Sequence, residues 1–514
     1  MKRIKYLFLP LILLISFLLG SKMILSGDFF YLFDQARDYL LVKDIVDTRN
    51  LTLIGTHSGL GGFFHGPLWL YMLTPIYILG SGNPFAFAYF YIALLLLTVL
   101  IAYIVGLKLY GEKGGLLISL LIVLSPATWN VVPNTIGVNA VPLVFLGLFY
   151  FLIKFIRGNP NSFIFAAFFA GLSLQFEAAL PLVLIPIMLL IFIWNKIAIK
   201  NLKVIILSGV SFALSISTFI LFDLRHKFLM TTAVFNSFTS GNKEKGYLEL
   251  GDRISVHVSS LLGVYKNVAF SKDFLLILLL GIIFAFATYL ILKSKKNKSA
   301  LYRKKEFLFL LLFPVLVFGF FVFYSYPIWP EYVLGLIIPV AFAFYLSIVA
   351  VWKNLLGKIL VILFFAITFL NVSFSINNQY FKEYPQNNSS GSYLNQKAVV
   401  DWIFKDAKKG KFGYFVYTPE IYTHGMDYLI LWTSKSNPRI ILESQKNKVT
   451  YLIMYPHMEN DKGAYTFWKK NTLRTKGEVT LTKVFNGGII VEKLLIDTNE
   501  PEVDSNYYQG LLFR

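Results

Sequence analysis

The chain contains no cysteine and little charge: 15% of its 514 residues are Asp, Glu, Lys or Arg, against about a quarter in soluble proteins. Without thiols it is no disulfide scaffold, and any extracytoplasmic part is held together by other means. Scarce charge combined with 56% apolar residues excludes both a soluble enzyme and a disordered chain. Also missing are a phosphate-loop Gly-Lys-Ser/Thr motif, strong zinc-ligand spacing and a nucleophile-elbow serine, so the chain is not its own nucleotide hydrolase. Acids are scarcer than bases, 28 against 48, which leaves a formal net charge of +20.

What the chain has instead is 50 Phe, 30 Tyr and long apolar runs. A bilayer core of ~30 Å takes about 20 apolar residues per helix. Eleven runs read as spans: 6–25, 85–107, 114–129, 137–153, 162–174, 178–194, 204–222, 274–292, 307–323, 332–352 and 355–374. The first follows Met1-Lys2-Arg3-Ile4-Lys5, as in a signal peptide. No small-residue cleavage site stands out, so it reads as an uncleaved helix.

The basic residues set the orientation. Lys2, Arg3, Lys5, Lys108, Lys113, Lys154, Arg157, Lys196, Lys200, Lys203, the Lys-rich stretch 293–305, Lys353 and Lys358 fall on one side, whereas turns 128–136, 175–177 and 324–331 carry no Lys or Arg. That bias places the amino terminus in the cytoplasm and accounts for the net charge without nucleic acid. The expected fold is a polytopic α-helical membrane protein of the plasma membrane: a transmembrane domain over 1–374 with outer loops 26–84 and 223–273, then a small extracytoplasmic α/β domain over 375–514. In that domain 393–409 reads as a helix, and 412–417, 449–454, 479–484 and 488–492 as strands.

Polar residues gather at the outer ends of the runs. Asp34, Arg37 and Asp38 share one helical face in the first outer loop. Asp34 sits between the apolar runs 29–33 and 39–42, which suggests a helix lying on the membrane surface. Its carboxylate could deprotonate an acceptor hydroxyl or hold a divalent cation. Gly59 to Trp69 follows, glycine-rich around His65, a residue able to bind phosphate, ligate a metal or shuttle a proton. Run 162–174 is short, so Gln175 and Glu177 after it should dip below the outer surface. Arg225 and His226 end another run where a lipid phosphate could sit. Glu331, after Ile328-Trp329-Pro330, is a further acid at an outer mouth.

In their order, these pieces resemble glycosyltransferase family 39, the protein mannosyltransferase and lipid A aminoarabinose transferase group of C-type membrane glycosyltransferases. The resemblance runs over roughly 6–350. It rests on Phe33-Asp34-Gln35-Ala36-Arg37, His65-Gly66-Pro67-Leu68, Gly106-Leu107-Lys108-Leu109-Tyr110-Gly111, Leu124-Ser125-Pro126 and Gly171 to Glu177. Gln35 stands where the family usually has Glu, Asn139 where many relatives have a second Asp, and Glu177 where Lys or His is common. The resemblance implies a polyprenyl-phosphate sugar donor, a lipid, glycan or protein acceptor, and an inverting transfer at the outer face. It implies Asp34 as base, Arg225, His226 and His65 on the donor phosphate, and Arg37, Asp38, Glu177, Gln175 and Glu331 around the substrates. Mg²⁺ or Mn²⁺ at Asp34 and Glu177 is a further expectation. The alternatives are a transporter or flippase for lipid-linked glycans, and a membrane-anchored assembly protein. Nearly charge-free span centres and the lack of an internal repeat speak against transport.

Overall fold

The computed structural model describes residues 2–58, 62–125, 136–194, 201–239, 248–268, 274–294, 298–324, 328–376, 389–407, 410–419, 422–443, 446–457, 462–496, 500–504 and 507. The amino-terminal helices are α1 (Lys2–Leu25), α2 (Phe33–Thr48), α3 (Leu68–Leu79), α4 (Pro84–Tyr110) and α5 (Glu112–Leu124). The start of α4 is legible: the Asn83 side chain accepts from the Phe85 N–H, and Pro84 takes the first position, where a missing N–H costs nothing. Gly111, at φ +81°, ends it.

All eleven apolar runs lie wholly or partly on helix. Residues 126–129 of the third fall outside the described residues. Five helices among the described residues are long and apolar enough to cross a membrane: Pro84–Tyr110, Gly137–Ile156, Phe274–Lys293, Pro330–Val351 and Leu355–Phe374. Their packing shows a layered bundle. Ile337–Val351 is almost wholly buried at its centre, whereas Leu355–Ile376 turns Leu356, Ile362, Leu363, Phe369 and Leu370 outward. Such a surface suits lipid and not water. This is a multi-pass membrane protein.

Two stretches depart from expectation. The run 204–222 is not one straight span: Leu202–Ser215 and Ser217–Arg225 meet at a bend of 69°. The stretch 223–273, expected as an outer loop, contains helices Leu229–Thr239 and Leu250–Val268. Polar residues such as Asn236, Asp252 and Arg253 broke the apolar pattern there, while tertiary contacts hold the helices; Arg253 donates to the Val322 carbonyl at 3.1 Å.

Beyond residue 389 lies a five-stranded sheet of order β2-β1-β3-β5-β4, with β1 Lys411–Tyr417, β2 Ile441–Glu443, β3 Val449–Met454, β4 Glu478–Val484 and β5 Ile490–Leu495. β1 runs parallel to β2 and β3, whereas β5 is antiparallel to β3 and β4. The four expected strands are present. β2, three residues long, and helix His424–Lys435 were not foreseen. This unit shares a continuous apolar core with the stretch 29–77. Asp28, 1% exposed, accepts from Ser392 Oγ at 2.8 Å and from the Leu394 N–H at 3.1 Å. Phe29 stacks on Tyr393, and Trp432 Nε1 donates to the Ser81 carbonyl at 3.2 Å.

Candidate active site

α2 is buried on most sides, and its apolar residues do not meet lipid. Tyr39, Leu40 and Val42 pack into the protein, with Tyr39 stacked on Phe87 and edge-on to Tyr428 of the carboxyl-terminal unit. The membrane-surface reading of this helix is therefore corrected. Its first turn is closed by Gln35, whose Oε1 accepts from the Leu32 N–H at 3.0 Å. A neutral amide does the capping there while fully buried, avoiding the desolvation that a carboxylate would suffer.

The exposed face of that turn opens on a cavity of about 460 Å³. Asp34, Arg37 and Asp38 enter from α2, His57 and His65 from the following loop, Gln175 and Glu177 from the turn after Ser162–Ser173, and Glu331 from the start of Pro330–Val351. Residues separated by some 300 positions of chain thus share one wall. The loop that carries His65 folds back as a short ladder: His65 N donates to the Thr56 carbonyl at 2.8 Å and Ser58 N to Phe63 at 3.0 Å. Residues 59–61, the glycine-rich tip, lie outside the described residues.

Arg37 organises the charge. Its Nη1 meets Asp34 Oδ1 at 2.7 Å, and its Nε and Nη2 meet Asp38 Oδ1 at 3.2 and 3.0 Å. Asp38 Oδ2 accepts from the Trp69 indole at 2.9 Å. Asp38 is buried and Asp34 is 40% exposed, so the second is the acid that a ligand meets. Burial pushes the Asp38 carboxyl up to about 6, against the opposing pull of Arg37. Burial, with Arg37 and His57 nearby, brings the His65 imidazole down to about 3. Its Nδ1 is buried without a hydrogen-bond partner among the described residues. Glu177, in the turn between helices, is pushed up to about 7, chiefly by burial. Its Oε1 accepts from the Ala179 N–H at 3.0 Å, at the start of helix Ala179–Trp194.

Gln175 lines the cavity, but its amide nitrogen is occupied. It donates to the Ser215 carbonyl at 2.9 Å and to Thr218 Oγ1 at 3.2 Å, groups on either side of the 69° bend. A broken helix orphans carbonyls, and Gln175 satisfies one. No group of three His, Asp or Glu side chains that could hold a metal comes together among the described residues. Asp34 is engaged with Arg37, and Glu177 with a helix start. A Mg²⁺ or Mn²⁺ held by these two carboxylates would take its remaining oxygen ligands from water or a substrate phosphate.

This fold is shared with ArnT from Cupriavidus metallidurans. The apo structure matches with a TM-score of 0.57 at 10% identity, over 95% of this chain and 97% of that one. The same protein bound to undecaprenyl phosphate matches with a TM-score of 0.55 at 11% identity, over the same shares. The chain has the C-type membrane glycosyltransferase fold. An oligosaccharyltransferase from Archaeoglobus fulgidus, solved with Zn and sulfate, overlaps less well: TM-score 0.47 at 10% identity, over 89% of this chain and 69% of that one. No protein-family profile matches the chain, and no curated protein matches it by sequence.

On this C-type scaffold Arg225 and His226 are not in the cavity wall. The bend after Ser215 carries them to an exposed corner, where His226 Nδ1 lies 2.8 Å from the Phe222 carbonyl and its ring stacks on Phe222. The neighbouring Asp223 is structural, since it accepts from the Met230 and Thr231 N–H groups at 2.8 and 3.0 Å. The expectation that Arg225 and His226 hold the donor phosphate rested on their place at the end of an apolar run, and the bend sets them apart from this cavity. The wall also contains Phe33, Trp69, Trp329 and Tyr332, which sequence reasoning had not chosen. Aromatic faces beside carboxylates are a common setting for a sugar ring, and Trp69 and Trp329 stood within motifs already singled out.

Proposed function

We propose that the protein is an integral membrane glycosyltransferase that moves a sugar from a polyprenyl-phosphate donor to an acceptor hydroxyl at the extracytoplasmic face. The observation that carries this reading is the convergence of Asp34, Arg37, His65 and Glu177 on one cavity in a C-type fold. The similarly folded ArnT, solved with undecaprenyl phosphate, supports the lipid class of the donor. In this reading Asp34 takes the acceptor proton through the carboxylate oxygen that Arg37 does not hold. The acceptor oxygen attacks the anomeric carbon, the bond to phosphate breaks, and the polyprenyl phosphate leaves with its electron pair, inverting that carbon. Arg37 is the only Arg or Lys of the wall among the described residues. An incoming phosphate therefore competes with Asp34 for its guanidinium, so donor binding loosens the base. Neutral His65 offers a further hydrogen bond to the phosphate. Trp69 and Trp329 flank the sugar.

One observation favours a second assignment of the base. Glu177, raised to about 7, is matched to proton transfer near neutral pH. The two assignments separate in one experiment, transfer of labelled sugar from polyprenyl-phosphate donors by the purified protein. Asp34→Asn is expected to lower kcat by roughly 10²–10⁴-fold, with Glu177→Gln affecting KM more than kcat. Full turnover in Asp34→Asn would remove Asp34 as base. A loss confined to Glu177→Gln, together with loss of a rise in kcat/KM through about pH 7, would transfer the role. No transfer from any such donor by the wild type would sink the enzyme reading and leave transport or assembly.

A further inference from the structure

A second polar cavity lies at the other end of the same helices. Helix Gly137–Ile156 has Gly137 in the candidate site and Arg157, just past its end, in the second cavity. Its 20 residues span ~30 Å, one hydrocarbon thickness. Pro330–Val351 repeats the relation, with Glu331 in the first cavity and Val349 in the second. Two independent helices therefore place the cavities on opposite faces of the membrane. The Lys/Arg bias makes the second face cytoplasmic.

This second space comprises hollows of about 500 and 250 Å³ that share Leu109 and Arg157. Four cations, Lys108, Lys154, Arg157 and Arg303, line it against one carboxylate, Glu306. Glu306 is 2% exposed and fully engaged. Arg157 grips it in a bidentate fork at 2.7 and 2.9 Å, and Tyr110 donates to it at 2.6 Å. Its charge is cancelled within the wall, leaving Lys108, Lys154 and Arg303 as a net positive rim. Lys154 reaches the Tyr150 hydroxyl at 3.4 Å. Leu346 and Val349 form an apolar side.

We propose that this cavity binds the phosphate-bearing headgroup of an acidic lipid of the cytoplasmic leaflet. Like charges gathered from three separated stretches of chain repel one another unless an anion offsets them. A basic pocket between membrane helices with an apolar flank suits a headgroup whose acyl chains remain in the bilayer. The proposal is independent of the reading of the outer site. To test it, the full-length protein is reconstituted in phosphatidylcholine vesicles with and without phosphatidylglycerol, and retained lipid is counted by native mass spectrometry. Phosphatidylglycerol is expected to be retained over phosphatidylcholine. The double variant Lys154→Gln/Arg303→Gln is expected to retain about tenfold less, as befits the loss of charge-assisted bonds. Lys108→Gln, at an exposed helix end, is the reserve should that pair fail to fold, again with reduced retention expected. Arg157 is left intact because Glu306 depends on it. Equal retention of the two lipids, or retention unmoved by the substitutions, overturns the proposal. Displacement of the lipid by inorganic phosphate overturns it too, in favour of a soluble anion.

Discussion

Arg37 and its two acids show how burial divides similar residues into different tasks. Asp38 sits between a guanidinium and an indole and positions both, whereas Asp34 shares the same cation from an open position. Asp38→Ala would leave Arg37 to Asp34 alone and orphan the buried Trp69 indole N–H, so unfolding in detergent should show a loss of about 1–3 kcal/mol, beyond any loss of transfer. His65 gives a pH test. Its folded value of about 3 lies below the ordinary 6.5, so the unfolded chain binds the proton more readily. Stability attached to this imidazole is intact above pH 6.5 and drains away as pH falls towards 3. Going from pH 8 to pH 5 should cost the wild type about 2 kcal/mol at this residue. His65→Gln should lack that term, which thermal melts at the two pH values would reveal. The i, i+3, i+4 acids and Arg37 were legible because helical spacing survives in any context. The separate fates of Asp34 and Asp38 were not, because burial comes from partners such as Trp69 that are distant in sequence.

At the scale of elements, the bend at Ile216 shapes the site. It moves Arg225 and His226 away, frees the Ser215 carbonyl and recruits Gln175. Gly66 completes this joint, since a Cβ there would stand 1.9 Å from Gln175 Oε1. Gly66→Ala should push the 175–177 turn, and Glu177 with it, out of register. The expected cost is about 1–3 kcal/mol along with a fall in transfer. Gln175→Leu should cost a similar amount through the orphaned carbonyl, and both are measurable by thermal unfolding beside activity. Hydropathy read 204–222 as a single span because composition does not register a break satisfied from another helix. Likewise, the apolar face of α2 looked the same in sequence whether lipid or helix His424–Lys435 was to cover it.

For the whole molecule, the absence of cysteine supplies a clean topology test. Asp47→Cys, on the exposed end of α2, should react with an impermeant maleimide in intact cells, whereas Arg303→Cys should react only after permeabilisation. The reverse pattern would place the candidate site on the wrong face. The shared core of the carboxyl-terminal unit and the stretch 29–77 predicts that ending the chain at residue 376 lowers folded yield rather than merely altering acceptor choice; fluorescence-detected size exclusion would check it. Sequence by itself determined the membrane class, the helical runs, the four longer strands and the identity of most polar residues in the cavity. Those follow from composition and periodicity, which act through solvent and local backbone alone. Which acid is buried, where Arg225 points, what covers α2 and that basic helix ends enclose a second cavity were decided by tertiary structure. Each depends on contacts between residues that only folding brings within bonding distance.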